Sequence, residues 1–502
     1  MRQAVLEGLN FQPYKWVKSN MRQTKDEISK MRHSPTGQCC QSASPTLLSG
    51  RREFLKGAAV GVALPFAAGA KAAEGLPVAG DYDLVVAGGS ATGVCAAVTA
   101  ARAGFKVALV EYNAFFGGMA TAGLVPVWHS LWSTDGKTQI IRGLTEEIER
   151  YLLDRGEAVL SDDAKTNPSV ACYLNVAALQ LALDRFVREA KTVTPYLKAH
   201  VVAAEKDREG HLTGVVVEDK SGRRVIRGRW FIDATGDADL AVRAGFETYV
   251  LPKCDLQAHT LCAIVSGWAD VERRYGKKFS LGVLLGPKGL AGLRHVFGWT
   301  APVVGTPDLR FLAVTRVAGC DPSVAQDLTD GLLDARRQLG RIVDAVNEHF
   351  PLADGRRLAL VTVASDLGVR ESRHVKAKYR VTEEDVLMGR RFDDCAARGS
   401  YRVDIHEEDG ITFKYLNGER RRMRVGADGK VLWVKDFWRH DKAMRPTWYE
   451  MPIRALIPEK AENLICAGRM VDCERGAYGA LRVMVNCNQM GEAAARYAIE
   501  RM

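Results

Sequence analysis

The sequence predicts an α/β fold built on a parallel sheet, with a second, α+β domain inserted into the chain. A strand, a glycine-rich turn, a helix and a second strand follow one another within residues 81–112. Another apolar strand followed by small residues occurs within residues 229–245, and a third within residues 462–500. Because parallel strands need crossover connections, strands spaced by helices in this way indicate a parallel sheet.

Residues 81–112 predict a unit that binds the diphosphate of a dinucleotide. Residues 84–87 are continuously apolar, as expected of a strand buried on both faces, and residues 106–110 form the second strand. The helix between them is rich in alanine, and Gly104 closes it as a C-cap would. Its N-terminus would offer unpaired N–H groups and a positive dipole end to the diphosphate. The unit is therefore predicted to be Rossmann-like.

The turn of this unit departs from the usual glycine pattern at one position. Gly88 permits the tight turn and Gly93 permits close contact between helix and strand, but Ser90 replaces the second glycine. Serine is small, so the diphosphate can still approach, and the hydroxyl can donate to a phosphate oxygen. Glu111 ends the second strand, where its carboxylate would accept hydrogen bonds from a ribose diol. With Gly89, these residues are predicted to bind the nucleotide.

Two later segments of small residues predict that the cofactor extends beyond the nucleotide. The stretch "FFGGMATAGLV" at residues 115–125 suits a loop wrapped around a bound cofactor. Residues 229–245 contain a strand and then a turn with Gly236 and Asp237, predicted to lie beside the nucleotide. The fold alone does not separate NAD from FAD, and the wrapped loop favours the more extended cofactor.

Together with two further stretches, these segments resemble the FAD-dependent oxidoreductases of the glutathione-reductase-like superfamily. The R-E-S-R segment and downstream D-x-H within residues 367–406 are similar to a narrower FAD-dependent oxidoreductase family, which includes relatives of the flavin subunit of heterodisulfide reductase. "YEMPIRALIPEKAENLICAGR" at residues 449–469 is similar to that family's lead-in to the last flavin strand. The resemblance covers most of residues 81–500 and implies a non-covalent, extended FAD on a Rossmann-like FAD-binding domain.

The resemblance also implies which residues contact each part of the cofactor. Residues 88–93 and Glu111 would hold the ADP half. The residues near the flavin would be Gly117, Gly118, Met119, Ala120 and Thr121. Those at the ribityl chain and pyrimidine would be Gly468, Arg469, Asp472 and Gly491.

The side chains expected to carry the chemistry are His406, Arg370, Arg373, Glu371 and Arg482. Arg370 and Arg373 could clamp a carboxylate or another anion, or could form structural salt bridges with residues 383–385. His406 is the expected acid or base because the ordinary pKa of histidine is near neutrality. Arg482, expected at the start of the last helix, would stabilise an anionic reduced flavin.

The stretch "PVWHSLW" at residues 126–132 holds three further candidates. His129 follows the flavin loop and could face the substrate. Trp128 and Trp132 could stack on a sugar ring, although packing in the core is the alternative for both.

The excess of positive charge lies mostly in the N-terminal segment. The chain has 70 Lys or Arg and 60 Asp or Glu, of which residues 1–72 hold 11 and 4. The remaining residues therefore carry 59 basic and 56 acidic side chains. This balance gives no support to nucleic-acid binding by the folded part.

The same N-terminal segment resembles a bacterial twin-arginine signal peptide. Arg51 and Arg52 precede an apolar run at residues 57–70, and residues 70–72 form a small-x-small cleavage site. We therefore expect export to the periplasm or the exterior, with the twin-arginine (Tat) translocase as a partner. Such a protein crosses the membrane folded, which suits a cofactor loaded in the cytoplasm.

The predicted organisation is a leader, a split cofactor domain and an inserted substrate domain. The boundaries are 1–72 for the leader, 73–245 for the first segments of the FAD-binding domain, 246–440 for the substrate domain and 441–502 for the returning C-terminal segment. Further predicted elements are an amphipathic helix at 144–153, a strand at 213–219, hairpin turns at Asn417-Gly418 and Asp428-Gly429, and a last helix from about Arg482 to Glu500.

Cysteine spacing and glycine motifs exclude several other cofactors. None of the cysteines forms a C-x-x-C pair, so no metal or iron–sulfur site is predicted. No second G-x-G-x-x-G unit is present for a bound nicotinamide. FAD is the one cofactor expected.

The resemblance leaves three functions open. The first is an exported dehydrogenase that transfers a hydride between a small polar organic substrate and flavin, with a quinone, a cytochrome or oxygen as electron acceptor. The second is a fumarate-reductase-like flavin reductase of unsaturated acids. The third is a non-catalytic flavin-binding or scaffold protein.

Overall fold

A computed structural model describes six ranges of the chain. These are residues 75–161, 171–276, 298–407, 410–425, 431–441 and 444–502. The predicted leader with its twin-arginine motif and the Asp428-Gly429 turn lie outside the described residues. Within these ranges, no helix has both the length and the apolar character that a bilayer span requires.

The described ranges contain strands and helices throughout. The strands are β1 (Val78–Ala87), β2 (Val107–Glu111), β3 (Val127–His129), β4 (Ala158–Leu160), β5 (Ala171–Leu174), β6 (Val193–Leu197), β7 (His200–Lys206), β8 (Leu212–Asp219), β9 (Gly222–Asp233), β10 (Thr248–Tyr249), β11 (Cys262–Ser266), β12 (Trp299–Pro302), β13 (Arg310–Ala313), β14 (Ala359–Val363), β15 (His374–Val375), β16 (Cys395–Gly399), β17 (Val403–His406), β18 (Gly410–Lys414), β19 (Glu419–Val425), β20 (Val431–Phe437), β21 (Tyr449–Pro452) and β22 (Leu464–Cys466). The helices are α1 (Ala91–Arg102), α2 (Leu144–Asp154), α3 (Val176–Glu189), α4 (Asp239–Arg243), α5 (Trp268–Tyr275), α6 (Ala325–His349), α7 (Glu383–Leu387), α8 (Arg475–Leu481) and α9 (Met484–Ile499). Short 3₁₀ turns occupy Gly118–Ala120, Ala353–Gly355 and Ile453–Leu456.

The central sheet is mixed rather than wholly parallel. Its order is β6-β2-β1-β9-β8-β7, and β22 also pairs with β9. The pairs β6/β2, β2/β1, β1/β9 and β9/β22 are parallel, whereas β8 pairs antiparallel with both β9 and β7. Because β9 is 12 residues long, its first half pairs with β8 and its last residues pair with β22. The C-terminal segment thus joins the sheet begun by β1.

Close contact between α1 and α9 covers one face of this sheet. Most of α1 is alanine, glycine or valine, and ten of its residues are buried. A Cβ added at Gly491 of α9 would lie 2.2 Å from the carbonyl oxygen of Thr92 in α1. Small side chains therefore let the two helices approach each other directly over the β1–α1 turn.

Two four-stranded sheets lie in the middle of the chain, with orders β12-β13-β11-β14 and β17-β18-β19-β20. The predicted turn at Asn417-Gly418 connects β18 to β19, and Gly418 has a φ of +90°. Contacts join Gly69–Met502 into a single unit. A separate inserted domain at residues 246–440 therefore stays a prediction.

The last predicted helix, from about Arg482 to Glu500, is confirmed as α9, and a separate short helix, α8, precedes it. Residue Arg482 follows the end of α8, Val483 is extended, and α9 begins at Met484. A Cβ at Gly479 of α8 would lie 2.9 Å from the backbone nitrogen of Asp404, so α8 packs directly on β17. This close packing gives α8 its own direction and places Arg482 in the break before α9.

Candidate active site

A cavity of about 690 Å³ joins the β1–α1 turn to residues of β17 and to the break before α9. Its volume is in the usual range for small-molecule sites. The sequence-predicted residues that line it are Gly88, Ser90, Glu111, Gly117, Gly118, Met119, Gly236, Asp237, Arg370, Arg373, His406, Gly468, Arg469 and Arg482. Fold and sequence therefore bring most of the predicted site to one place.

The β1–α1 turn is possible only because two of its positions are glycine. Gly88 has a φ of +100°, and a Cβ there would lie 2.5 Å from the backbone of Ala234. A Cβ at Gly93 would lie 1.8 Å from the carbonyl oxygen of Gly88. Gly93 is thus outside the cavity lining, and its role is the close contact between helix and strand that the sequence predicts.

Ser90 caps helix α1 instead of offering its hydroxyl to a ligand. Its Oγ accepts a hydrogen bond from the Gly93 N–H at 3.3 Å and donates to the Ala234 carbonyl at 3.1 Å. The hydroxyl proton is thereby engaged, which corrects the predicted bond to phosphate. The N–H groups of Ala91 and Thr92 have no carbonyl partner within the helix and belong to residues that line the cavity. They are the donors that α1 offers to an anion.

Glu111 is buried at the end of β2 and holds the turn together. Its Oε2 accepts from the Gly89 N–H at 2.7 Å, and its Oε1 accepts from the Asn113 N–H at 2.8 Å. Burial raises the pKa of Glu111 above its ordinary value. Since each carboxylate oxygen can accept more than one bond, a ribose diol at the cavity remains compatible with these contacts.

The loop that follows β2 folds back onto this turn. The Gly117 N–H donates to the Gly89 carbonyl at 2.8 Å, and a Cβ at Gly118 would lie 3.0 Å from the Cβ of Ser90. Thr121 lies outside the cavity lining, because its Oγ1 donates to the Phe116 carbonyl at 2.7 Å. The glycine pair and Met119 are the part of the loop that faces the cavity.

Gly89 and Ala120 lie outside the cavity lining, and so do three other predicted residues, Glu371, Asp472 and Gly491. Glu371 is fully buried and accepts from the Gln257 N–H at 3.1 Å. Asp472 accepts from the Ala377 N–H and the Tyr249 hydroxyl, both at 2.9 Å. Gly491 serves the contact with α1 described above. Their expected roles at the reacting centre or the cofactor are therefore corrected to structural ones.

The residues at this end of the cavity fit a dinucleotide cofactor. Besides the turn and the N-terminus of α1, the amide of Asn488 lines the cavity. Neither polar atom of this fully buried side chain has a hydrogen-bond partner among the described residues. Buried amides are normally bonded, so the cavity leaves room for a ligand that satisfies Asn488.

Strand β17 places a carboxylate and an imidazole on the same face. Asp404 and His406 are two residues apart in the strand, and Nε2 of His406 lies 3.1 Å from Oδ1 of Asp404. Burial and then Arg370 lower the pKa of His406 to about 3. Although burial opposes it, His406 and the charges of Arg482 and Arg402 hold the pKa of Asp404 well below its ordinary value. At neutral pH a neutral imidazole therefore lies beside an ionised carboxylate.

The two arginines of the R-E-S-R segment do not form the predicted clamp. Arg370 donates to the Ala258 carbonyl at 2.6 Å and to Oγ1 of Thr260 at 2.7 Å. Burial and then Arg482 lower the pKa of Arg370 to about 9, so it stays charged at neutral pH. Arg373 forms a salt bridge of 2.9 Å with Asp239, not with residues 383–385.

The histidine and tryptophans of "PVWHSLW" have different surroundings. His129 lines the cavity, and its ring lies 5.3 Å from that of Tyr401. Burial, then Arg402, lowers the pKa of His129 to about 4. Trp128 is fully buried in the core, and Trp132 packs partly buried against it. Neither tryptophan is in the cavity lining, so the sugar-stacking alternative is wrong for both.

Many cavity residues were not among the sequence-predicted site residues, and four of them bear on the chemistry: Tyr401, Arg402, Asp404 and Asn488. Asp404 stands in the D-x-H pattern with His406, and strand alternation could have identified it. The other three give no signal of their own, because a tyrosine, an arginine and an asparagine are common on any surface.

Lowering the pH is expected to destabilise the protein through its buried histidines. Burial lowers the pKa of His259 to about 4, and its Nε2 bonds the Cys320 carbonyl at 3.0 Å. The unfolded chain, with a pKa near 6.5, binds more protons, so this stability is present above pH 6.5 and is lost as pH falls toward 4. Between pH 6.5 and pH 5, the contribution of His259 to the free energy of unfolding falls by about 1.5 kcal/mol.

The measurement is the free energy of unfolding at the two pH values in wild type and His259→Gln. The glutamine side chain keeps a hydrogen-bond donor and an acceptor but does not titrate. The free energy of unfolding of the variant should therefore decrease by about 1.5 kcal/mol less than that of wild type between the two pH values. An equal loss in both proteins would contradict the assignment.

Comparison with known proteins identifies a family for nearly the whole described chain. The family described as "FAD dependent oxidoreductase" matches residues 83–500. No curated protein matches. Since the match spans the β1–α1 unit, both middle sheets and α9, it covers all the elements that line the cavity.

Several solved structures are similar at low identity. The crystal structure of p-nitrophenol 4-monooxygenase PnpA from Pseudomonas putida DLL-E4 is 13% identical over 59% of this chain and 68% of that one, with a TM-score of 0.34. THI4 of Thermovibrio ammonificans is 18% identical over 34% and 66%, with a TM-score of 0.26. PqsL of P. aeruginosa, solved with 2-aminobenzoylacetate, is 14% identical over 84% and 85%, with a TM-score of 0.36.

Proposed function

The chain belongs to the FAD dependent oxidoreductase family, and from that premise we propose that it transfers a hydride between a small polar organic substrate and FAD. It is an FAD-dependent oxidoreductase, and family membership supports an enzyme over a flavin-binding scaffold. When bound, FAD supplies the acceptor or donor of two electrons.

The protein's own residues would hold the cofactor at one end of the cavity. The N–H groups of Ala91 and Thr92 would bind the diphosphate at the positive end of α1. Glu111 would accept from the ribose hydroxyls, and Asn488 would bond a polar edge of the cofactor. Arg469 is already anchored, because it donates to the Val369 carbonyl at 2.6 Å and lies 3.1 Å from Asp237.

The observation that carries the proposal is the His406–Asp404 pair in the same cavity as the nucleotide turn. In oxidation of an alcohol, the hydroxyl proton would move to the imidazole of His406 while the carbon gives up its hydride. Asp404, whose Oδ1 lies 3.1 Å from Nε2, would stabilise the imidazolium that forms. The low pKa of His406 keeps the imidazole neutral, which is the form that accepts a proton.

Reduction of an unsaturated acid is the second candidate, and the arginines of the cavity favour it. A reductase of unsaturated acids needs cations at the substrate carboxylate and an acid for the second carbon. Arg370, Arg402 and Arg482 line the same cavity as His406. Both candidates use the same residues, but they differ in the bond that reacts, the C–O bond of an alcohol or the C=C bond of an acid, and in the direction of hydride transfer.

Export and electron transfer complete the proposal. The Arg51-Arg52 pair and the apolar run after it support passage through the twin-arginine translocase to the periplasm or the exterior. A quinone or a cytochrome would then accept the electrons of the reduced flavin. The near balance of 59 basic and 56 acidic side chains after residue 72 gives no support to a nucleic-acid partner.

The experiment is anaerobic reduction of the purified, flavin-containing protein by a panel of small metabolites. Bleaching of the flavin absorbance by alcohols, sugars or hydroxy acids would support the dehydrogenase. Reoxidation of chemically reduced protein by unsaturated acids would support the reductase. Folded protein without flavin absorbance, and unable to take up FAD, would overturn the proposal.

A further inference from the structure

Arg402 is a half-buried cation without a carboxylate of its own. It lines the cavity, and its Nε is buried with no hydrogen-bond partner. Within the described residues no carboxylate forms a salt bridge with Arg402, although most other arginines of the cavity region have such a partner or a bonded carbonyl. A buried charge is costly unless it is paired, so the site is incomplete as it stands.

Aromatic rings surround Arg402 and leave its N–H groups available. The guanidinium lies 4.5 Å from the ring centre of Phe413, 5.0 Å from that of Tyr401 and 5.9 Å from that of Tyr415. Rings stabilise a guanidinium through its flat face, whereas its N–H donors point outward in the plane. These contacts hold Arg402 in place. They leave unused the pair of in-plane N–H donors with which a guanidinium binds a carboxylate.

The one carboxylate beside this group is already engaged. Asp404 accepts from the Tyr401 hydroxyl at 2.8 Å, and it lies 3.1 Å from His406 and 3.5 Å from Arg482. Arg370 has hydrogen bonds to a carbonyl and a hydroxyl, which do not neutralise its charge. Arg370, Arg402 and Arg482 together face one aspartate, and the excess positive charge calls for an anion.

The wall of the cavity is rich in aromatic side chains, and Phe413 of this wall has its ring centre 4.5 Å from the Arg402 guanidinium. Trp299, Phe311 and Phe413 line the cavity, and the rings of Trp299 and Phe311 are 5.0 Å apart. Trp299 also stacks on Tyr173 at 6.3 Å, which fixes its orientation. A ligand whose charge meets Arg402 would place its remaining atoms against this wall.

We infer that the substrate is an organic carboxylate with a planar, apolar body. Its carboxylate is bound by the paired N–H donors of Arg402, and its body packs on the aromatic wall of the cavity, beginning at Phe413. This inference rests on the proposed function and narrows its substrate from small polar molecules in general to acids of this kind.

The test is isothermal titration calorimetry of the flavin-containing protein with three probes. Phenylacetate has both charge and ring, phenylacetamide has the ring alone, and acetate has the charge alone. We expect phenylacetate to bind at least about tenfold more tightly than phenylacetamide or acetate. A difference of this size corresponds to one bidentate charged contact. Equal affinity of phenylacetate and phenylacetamide, or no binding of phenylacetate, would overturn the inference.

The variant Arg402→Gln should lose the preference for the acid and keep its weak affinity for the amide. Its flavin content should equal that of wild type, and its thermal midpoint without probe should not fall, because an unpaired, half-buried charge is removed. Loss of flavin from the variant would show that Arg402 serves the cofactor, and would overturn the inference.

Two further variants complete the design. Arg337→Gln removes an exposed arginine of α6 that pairs with Asp334 and should bind all three probes as wild type does. Arg402→Lys keeps the charge but not the paired N–H donors, so it should recover part of the preference, and it replaces the glutamine variant if that fails to fold. Wild-type protein without flavin would count against the proposed function, whereas flavin-containing protein without acid preference would count against this inference alone.

Discussion

Replacing Gly93 by alanine is expected to weaken FAD binding by about 10- to 100-fold. This factor corresponds to about 1–3 kcal/mol, the usual cost when an added methyl group forces its neighbours to shift. The added Cβ would lie 1.8 Å from the carbonyl oxygen of Gly88, a backbone atom that cannot move aside alone. Helix α1 must therefore shift away from β1, and the N–H groups of Ala91 and Thr92 shift with it. The diphosphate would lose its donors while most of the core stays packed.

The measurement is the ratio of flavin absorbance to protein absorbance after purification, followed by titration of the flavin-free protein with FAD. Gly340→Ala is the matched control, since Gly340 lies in helix α6 and a Cβ there meets nothing within 4 Å. Alanine in a helix is favourable by up to about 1 kcal/mol, so the control should keep its flavin and its stability. A Gly93→Ala protein with full flavin content would refute the assignment of this turn to the cofactor.

Replacing His406 by glutamine is expected to slow substrate-dependent flavin reduction by about 10²- to 10⁴-fold, the usual contribution of a general base. The variant retains a polar side chain near Asp404 but has no lone pair of suitable basicity. Flavin content and spectrum should stay as in wild type, because His406 belongs to β17 and not to the nucleotide turn.

The measurement is the single-turnover rate of flavin reduction, followed by stopped flow with the best substrate of the panel. Because the pKa of His406 is lowered to about 3, the wild-type rate should change little from neutral to weakly acidic pH. His211→Gln, which changes an exposed histidine paired with Asp207, should react as wild type does. A His406→Gln rate within threefold of wild type would exclude His406 as the base.

The two variants separate binding from chemistry. Gly93→Ala should lose cofactor without changing any group of the arginine and histidine cluster, whereas His406→Gln should keep cofactor and lose rate. If both variants lost flavin alike, the cavity would be a cofactor site only, and the reacting groups would have to be sought elsewhere.

Local patterns were sufficient for the nucleotide unit. Gly88, Gly93 and Glu111 act through neighbours in the chain, and their spacing alone predicted the strand, turn and helix that the structure contains. The position of Ser90 in the turn was predicted correctly, but the hydrogen-bond partner of its hydroxyl was not. That partner, the Ala234 carbonyl, follows β9 and is distant from Ser90 in the sequence. The predicted Arg370–Arg373 clamp failed for the same reason, since Asp239 and Thr260 come from other segments.

The sequence by itself predicted the Rossmann-like unit from the short-range spacing of glycine, apolar and acidic residues, and it predicted the family and FAD from the resemblance of several longer segments to that family. Only the tertiary structure decided that Arg402, Asp404 and His406 share a cavity with that unit. Which side chains of distant segments meet depends on how helices and sheets pack. The same packing decided that Glu371 and Asp472 accept hydrogen bonds from backbone N–H groups outside the cavity. It also decided that Arg402, which belongs to none of the sequence motifs, lines the cavity.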